Sequence, residues 1–334
     1  MEPEIASAFY DYAGEPWERC EALPLSGSAR RYYRIFYREG SCLAVWHENL
    51  RENKLFVDFS RHFASLGFPV PAIYHQSVDQ RIYFQEDLGA TSLLDVVERE
   101  RKGRELSPET LALYRRVLAV LVRLQLQGGE GLDYTDCLPR PVFDRTCMLW
   151  DLNYFKYCFL RLAGVEVDEQ RLEMDFERLT GVLTAVPADG FMFRDFQSRN
   201  IMVREGEPFF IDYQGGRRGA LHYDVASLLY DAIVAIPERQ REELLAFYVA
   251  ELGNYRKVDT AVFVKEYSHF VLIRLLQAMG AFGLRGLYER KPHFVDSILP
   301  CLTTLSILME AGSLSTDYPE IKRVLRVAKS VFEK

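Results

Sequence analysis

Two short tracts hold the residues best suited to chemistry. Phe191-Met-Phe-Arg-Asp-Phe-Gln-Ser-Arg-Asn200 sets Asp195 five positions before Asn200, and Asp212 ends the apolar run Pro208-Phe-Phe-Ile211. Phosphoryl transfer from ATP needs such groups in this order. One carboxylate orients the acceptor hydroxyl and takes its proton, while an Asn and a second carboxylate hold Mg²⁺ on the phosphates. An Asp-x4-Asn pattern alone is weak, because both residues are common in turns and caps. The ordered set says more. Residues 195–200 read as a loop, and Ile201-Met-Val203 and Phe209-Phe-Ile211 as short strands that carry the loop and aim Asp212.

This arrangement resembles the kinase-like aminoglycoside phosphotransferase family, whose motif reads His-x-Asp-x4-Asn followed by Ile-Asp. Arg194–Asn200, Ile211-Asp-Tyr-Gln214, Arg218-Gly219 and Tyr223-Asp-Val-Ala-Ser-Leu-Leu229 are similar to one branch of it. That branch includes the anomeric kinases of cell-wall recycling, which phosphorylate N-acetylmuramate and N-acetylglucosamine at the C1 hydroxyl. The resemblance covers most of the chain. It implies an α+β, protein-kinase-like two-lobed fold, with a small antiparallel β lobe and a larger, mostly α lobe. It also implies ATP and Mg²⁺ as cofactors, Asp195 as base, and Asn200 and Asp212 as metal ligands. Phe193 stands where many members carry a His of mainly scaffold role.

The elements that must position these groups are legible in outline. Residues 1–18 read as a short amphipathic helix on the first lobe. Glu21–Leu25, Tyr32–Tyr37 and Cys42–Trp46 read as a three-stranded meander. The resemblance places the loop Ser26-Gly-Ser28 over the ATP phosphates, where backbone N–H groups bind anions, although a plain turn explains a single Gly27 equally well. In the family, the third strand supplies a Lys to the phosphates. Leu43-Ala-Val-Trp46 puts Trp46 there instead, and Lys54 stands where a partner Glu is expected on the next helix, so Lys54, Arg30 and Arg31 are the candidate replacements. Two further strands lead to Glu86-Asp-Leu-Gly89, which resembles the family's hinge. Through Glu86, Asp87 and Leu88 the backbone would bond the adenine edge. The division is therefore 1–85, a hinge at 86–90, and 91–334.

Beyond the hinge the pattern is helical. Ser107-Pro108 caps a helix with apolar Leu111, Tyr114, Leu118 and Leu121. The segment 141–162 mixes aromatic and polar side chains as a sugar site would, so Asp144, Arg145, Asp151 and Tyr154 are acceptor candidates, with an aromatic packing helix as the competing reading. Arg217 and Arg218 could grip a carboxylate or neutralise developing charge, and Arg218 is the stronger candidate. Asp224 reads as a structural acid that bonds backbone N–H groups. In Leu276-Gln-Ala-Met-Gly-Ala-Phe-Gly283, small residues would let helices approach closely and Gln277 could line the cleft.

The bulk numbers set limits. A chain of 334 residues has an ample core, and a net charge of −7 argues against nucleic acid as a partner. The six cysteines include no Cys-x-x-Cys pair, as in a reducing cytosol. The acidic start is not a secretory signal, and no apolar segment reads as membrane-spanning. The expectation is a cytoplasmic kinase of a small molecule, a sugar above all, without membrane or protein partners. Two alternatives stay open. One is an aminoglycoside or choline-type alcohol as acceptor; the other is a nucleotide-binding pseudokinase, motivated by Trp46 and Lys54.

Overall fold

In the computed structural model, residues 3–24, 29–101 and 103–333 are described. After helix α1 (Pro3–Ala13), apolar alternation builds β1 (Arg19–Ala22), β2 (Arg31–Tyr37) and β3 (Gly40–Trp46). Helix α2 (Leu50–Ser65) follows, then β4 (Ile73–Gln76) and β5 (Ile82–Glu86). The five strands form one antiparallel sheet in the order β1-β2-β3-β5-β4. Helix α1 covers one face, its Ile5 and Phe9 packing on Ile35, Cys42, Ala44, Ile82 and Phe84. Helix α2 packs from the other side through Phe56, stacked on Tyr83 at 5.3 Å.

The period of two along β3 corrects one expectation. Cys42 and Ala44 face α1, and so does Trp46, whose indole Nε1 donates to Glu4 at 3.3 Å. Leu43 and Val45 face the other side. The cleft-facing position expected to carry a cation is therefore held by Val45, not by Trp46.

The second lobe contains α3 (Leu93–Glu100), α4 (Pro108–Arg123), α5 (Arg145–Phe155) and α6 (Glu169–Thr184). Ser92 starts α3 with a capping box, and Ser107 caps α4 by accepting from Thr110 N at 3.0 Å. Next come β6 (Gly190–Met192), β7 (Ile201–Arg204), β8 (Glu207–Phe210) and β9 (Arg217–Gly219), then α7 (His222–Leu229) and α8 (Glu238–Gly253). Helices α9 (Thr260–Phe282), α10 (Pro292–Asp296), α11 (Ile298–Glu310) and α12 (Pro319–Phe332) complete the chain. β7 pairs with β8 as the sequence implies, whereas the pairing of β6 with β9 turns three of the five residues of the glycine-arginine stretch 215–219 into strand. Gly216 and Gly219 permit that approach, since a Cβ on either would come within 2.7 Å of Phe191 or Met192 side-chain atoms.

Helix α9 is the axis of this lobe, with Phe270–Leu276 buried. Thr260–Tyr288 and Pro292–Glu310 are each long and apolar enough to cross a membrane by length and composition, contrary to the sequence expectation; most of the apolar part of the first is buried inside the fold. Small residues let α9 and its extension touch α5 and its extension. A Cβ on Gly280 would lie 2.6 Å from Tyr154 Cδ1, and one on Gly283 would lie 1.9 Å from the Cys158 carbonyl oxygen.

Candidate active site

The loop between β6 and β7 is held from beneath. Phe193, fully buried, packs on Phe196 at 5.1 Å and Tyr213 at 5.8 Å, so an apolar aromatic cluster fills the scaffold position. Asp224, on α7, accepts from Phe193 N at 2.7 Å and Arg194 N at 2.9 Å. Burial pushes its carboxyl up to about 7 against the lowering effect of those N–H groups. The backbone of Arg194 is left-handed, with φ 81°, an unfavourable conformation for a side chain this large. Three contacts hold it there: the Asp224 bond, a two-pronged ion pair with Asp151 at 2.7 and 2.8 Å, and Tyr223 Oη at 2.6 Å. Its guanidinium also lies 5.2 and 5.1 Å from the Phe143 and Tyr223 ring centres.

The next residue is Asp195. Asn200 Nδ2 donates to the Asp195 carbonyl at 2.8 Å and to Asp212 Oδ2 at 3.2 Å, so the three sequence candidates form one cluster. Asp212 is also left-handed, with φ 70°, and Gln214 Nε2 donates to its Oδ1 at 2.8 Å. Desolvation and then the Asp195 charge raise the Asp212 carboxyl above the ordinary aspartate range. A dication would reverse that cost. Among the described residues no group of three or more His, Cys, Asp or Glu side chains could hold a metal. Two hard oxygen donors, the Asp212 carboxylate and the Asn200 amide oxygen, suit Mg²⁺, which completes its shell with phosphate and water oxygens.

The missing strand lysine has a structural counterpart. Arg30, 2% exposed, reaches from the start of β2 to Glu52 on α2 at 3.2 Å and lies 3.9 Å from Asp212. Lys54 points away from the cleft to Asp58 at 2.8 Å and Asp136 at 3.3 Å. Arg30 and Glu52 thus form a cation–acid pair beside Asp212.

A cavity of about 540 Å³ opens between the lobes beside this cluster, walled by Leu43, Leu88, Met202 and Ile211, with Asn200 and Asp212 at its end. The acidic side chains of the segment 86–90 are occupied elsewhere. Glu86 pairs with Arg204 at 2.6 Å, and Asp87 with Arg34 at 2.8 Å and Ser41 at 3.0 Å. Glu86, Leu88 and Gly89 line the cavity. Ser26, Gly27 and Ser28 lie outside the described residues.

On the other side of Asp195 is a second cavity of about 160 Å³, lined by Tyr230, Asp231, Arg274, Gln277 and Phe282 among others. At that volume it suits something smaller than a drug-sized ligand. Of the sequence candidates for the acceptor, only Gln277 is there. The structure gives the others different positions. Asp144 caps α5 by accepting from Cys147 N at 3.0 Å, and exposed Arg145 pairs with Glu177 at 3.5 Å. Asp151 clamps Arg194, Tyr154 packs on Gly280, and Arg218 lies over Tyr134 at 4.8 Å. Composition drew attention to α5, but that helix supports the loop from behind. The missed signal was Arg274, a lone cation in the most apolar stretch of α9.

Comparison with known proteins agrees with this geometry. The profile of the phosphotransferase enzyme family (APH) matches residues 21–259. The N-acetylmuramate/N-acetylglucosamine kinase of Neisseria meningitidis is 28% identical over 225 residues, 66% of this chain and 63% of that protein. The kinase of the same name from Pseudomonas aeruginosa is 27% identical over 237 residues, 68% of this chain and 65% of that protein. The chain therefore spans slightly less than two thirds of the length of either relative. Among solved structures, APH(2″)-IIa in its gentamicin complex superposes with a TM-score of 0.63 at 15% identity, covering 94% of this chain and 97% of that one, which shows a shared fold.

Proposed function

We propose that this chain, which belongs to the phosphotransferase enzyme family, is a small-molecule kinase that transfers the γ-phosphoryl group of ATP to an amino sugar at its anomeric hydroxyl. The observation that carries this reading is the hydrogen-bonded set Asp195, Asn200 and Asp212, with the larger cavity on one side and the small one on the other. Asp195 lines the small cavity, where it would orient the acceptor hydroxyl and accept its proton. Asn200 and Asp212 would hold Mg²⁺, which when bound neutralises charge on the phosphates. The nucleotide would lie in the larger cavity against the hinge 86–90, with residues 1–85 and 91–334 as the two lobes and Arg30 beside the phosphates. The names of the two bacterial relatives favour an amino sugar as the acceptor. Cysteines that are all free suit a cytoplasmic setting.

The pseudokinase reading loses its motive once Arg30 and Glu52 supply the pair that Trp46 and Lys54 lacked. The test is ADP release with Mg–ATP across N-acetylmuramate, N-acetylglucosamine, plain hexoses, an aminoglycoside and choline. Turnover confined to the amino sugars, and lost when the C1 hydroxyl is blocked, is the expected result. Turnover of choline or the aminoglycoside alone would overturn the acceptor assignment. Asp195→Asn should abolish turnover while leaving nucleotide binding intact; near-normal turnover in that variant would remove Asp195 from its role.

A further inference from the structure

The small cavity beside Asp195 contains a buried cation that phosphoryl transfer to a neutral hydroxyl does not require. Arg274, on α9, is 7% exposed and lines this cavity. Its Nε donates to Ser227 Oγ at 2.9 Å and its Nη1 to the Gln277 Oε1 amide oxygen at 2.8 Å. Both partners are neutral, and among the described residues no carboxylate forms an ion pair with Arg274. Two acids line the same cavity, yet neither is paired with it. Asp195 belongs to the catalytic set, and Asp231 accepts from Ser198 N at 3.2 Å and Ile233 N at 3.1 Å.

A guanidinium stays charged in any protein and carries five donors. At 7% exposure in the buried stretch of α9, it carries a desolvation cost that neutral partners offset only in part. An anion entering the cavity would complete its shell, and the planar fork matches a carboxylate in two-pronged fashion. Arg217 and Arg218, which the sequence offered for that task, are committed elsewhere. Arg217 donates to the Gly215 carbonyl at 3.0 and 2.8 Å, and Arg218 lies over Tyr134.

We propose that Arg274 binds a carboxylate of the acceptor and thereby makes the enzyme prefer acidic amino sugars to neutral ones. This rests on the amino-sugar reading above and adds the residue that discriminates within that class. N-acetylmuramate carries a carboxylate on its lactyl ether, and N-acetylglucosamine has none, so the two sugars differ in the group that Arg274 would recognise.

The experiment measures kcat and KM for N-acetylmuramate, its methyl ester and N-acetylglucosamine. It uses the parent enzyme and the variants Arg274→Gln, Arg274→Lys and Arg199→Gln, the last removing the exposed arginine that also lines the cavity. The parent should favour the acid over its ester by on the order of tenfold or more in kcat/KM, expressed mainly in KM. Arg274→Gln should bring that ratio close to one, and Arg274→Lys should retain part of it. A purely structural Arg274 would lower all three acceptors together and preserve the ratio, which would overturn the proposal. Loss of the ratio in Arg199→Gln but not in Arg274→Gln would do the same. A parent ratio near one would also overturn it, however the variants fold. In that case turnover of N-acetylglucosamine would leave the amino-sugar kinase standing, whereas silence with every amino sugar would remove both readings.

Discussion

Replacing Asp151 with Asn separates two roles for this residue, an acceptor contact or a clamp on the catalytic loop. The pair it forms with Arg194 is enclosed, at 12% and 14% side-chain exposure, and both carboxylate oxygens are used, at 2.7 and 2.8 Å. Removing one partner of such a pair strands the other charge, at a typical cost of about 3–5 kcal/mol. Arg194 would keep Tyr223 Oη and the flanking rings of Phe143 and Tyr223, which places the loss at the low end, about 3 kcal/mol. With an unfolding entropy of about 2.1 cal/mol/K per residue, a chain of this length loses about 4 °C in Tm. Because Arg194 immediately precedes Asp195 and holds a strained φ of 81°, kcat should fall as well, with little change in acceptor KM. The double replacement Asp151→Leu with Arg194→Met should recover most of the melting temperature but not the activity, since both buried charges leave together. Thermal denaturation and steady-state kinetics on the parent and the two variants are the assay. If Asp151→Asn melts like the parent while acceptor KM rises at constant kcat, the clamp argument is wrong and Asp151 touches the acceptor.

Three other perturbations test neighbouring parts of the argument. Arg30→Met should lower kcat by on the order of 10²-fold, the usual consequence of losing one charge-stabilising group, while Lys54→Ala should have no effect; the reverse pattern in initial rates would refute the Arg30–Glu52 assignment. Asp224, with its carboxyl at about 7 in the fold and an ordinary value of 3.8, binds an extra proton in the folded state between those limits. Its contribution to stability should therefore decline as pH rises from 3.8 to about 7, whereas kcat should rise over the upper part of that window, as the ionised form braces Phe193 and Arg194. Melting and kinetic pH profiles of the parent against Asp224→Asn read both signs, and coincident profiles would exclude the titration. Gly283→Ala would drive a methyl group to within 1.9 Å of the Cys158 carbonyl oxygen, so a loss of about 3 kcal/mol is expected by chemical denaturation, and unchanged stability would mean the two helical segments separate easily.

Features set by local sequence were legible in it. Strand alternation, the Ser107 cap and the order Asp195, Asn200, Asp212 depend on neighbours a few residues apart, so their spacing carries the information. The two-lobed α+β fold followed from the same tracts and the family they resemble. Sequence proximity failed where side chains meet across long separations. Asp151 and Arg194 are 43 positions apart, and Arg274 and Ser227 are 47 apart, and no local pattern links either pair. The β3 register, one residue different from the linear reading, exchanged Trp46 for Val45 at the cleft, because a single-residue shift moves a side chain to the opposite face of a sheet. Composition alone put the acceptor on α5, since it identifies polar and aromatic residues but not the direction they point. The sequence by itself set the order Asp195, Asn200 and Asp212 on which the proposed phosphoryl transfer rests. Only the tertiary structure decided which cation faces Asp212, which acid clamps the loop and which buried arginine lines the small cavity, because burial and ion pairing are properties of side chains brought together from distant parts of the chain.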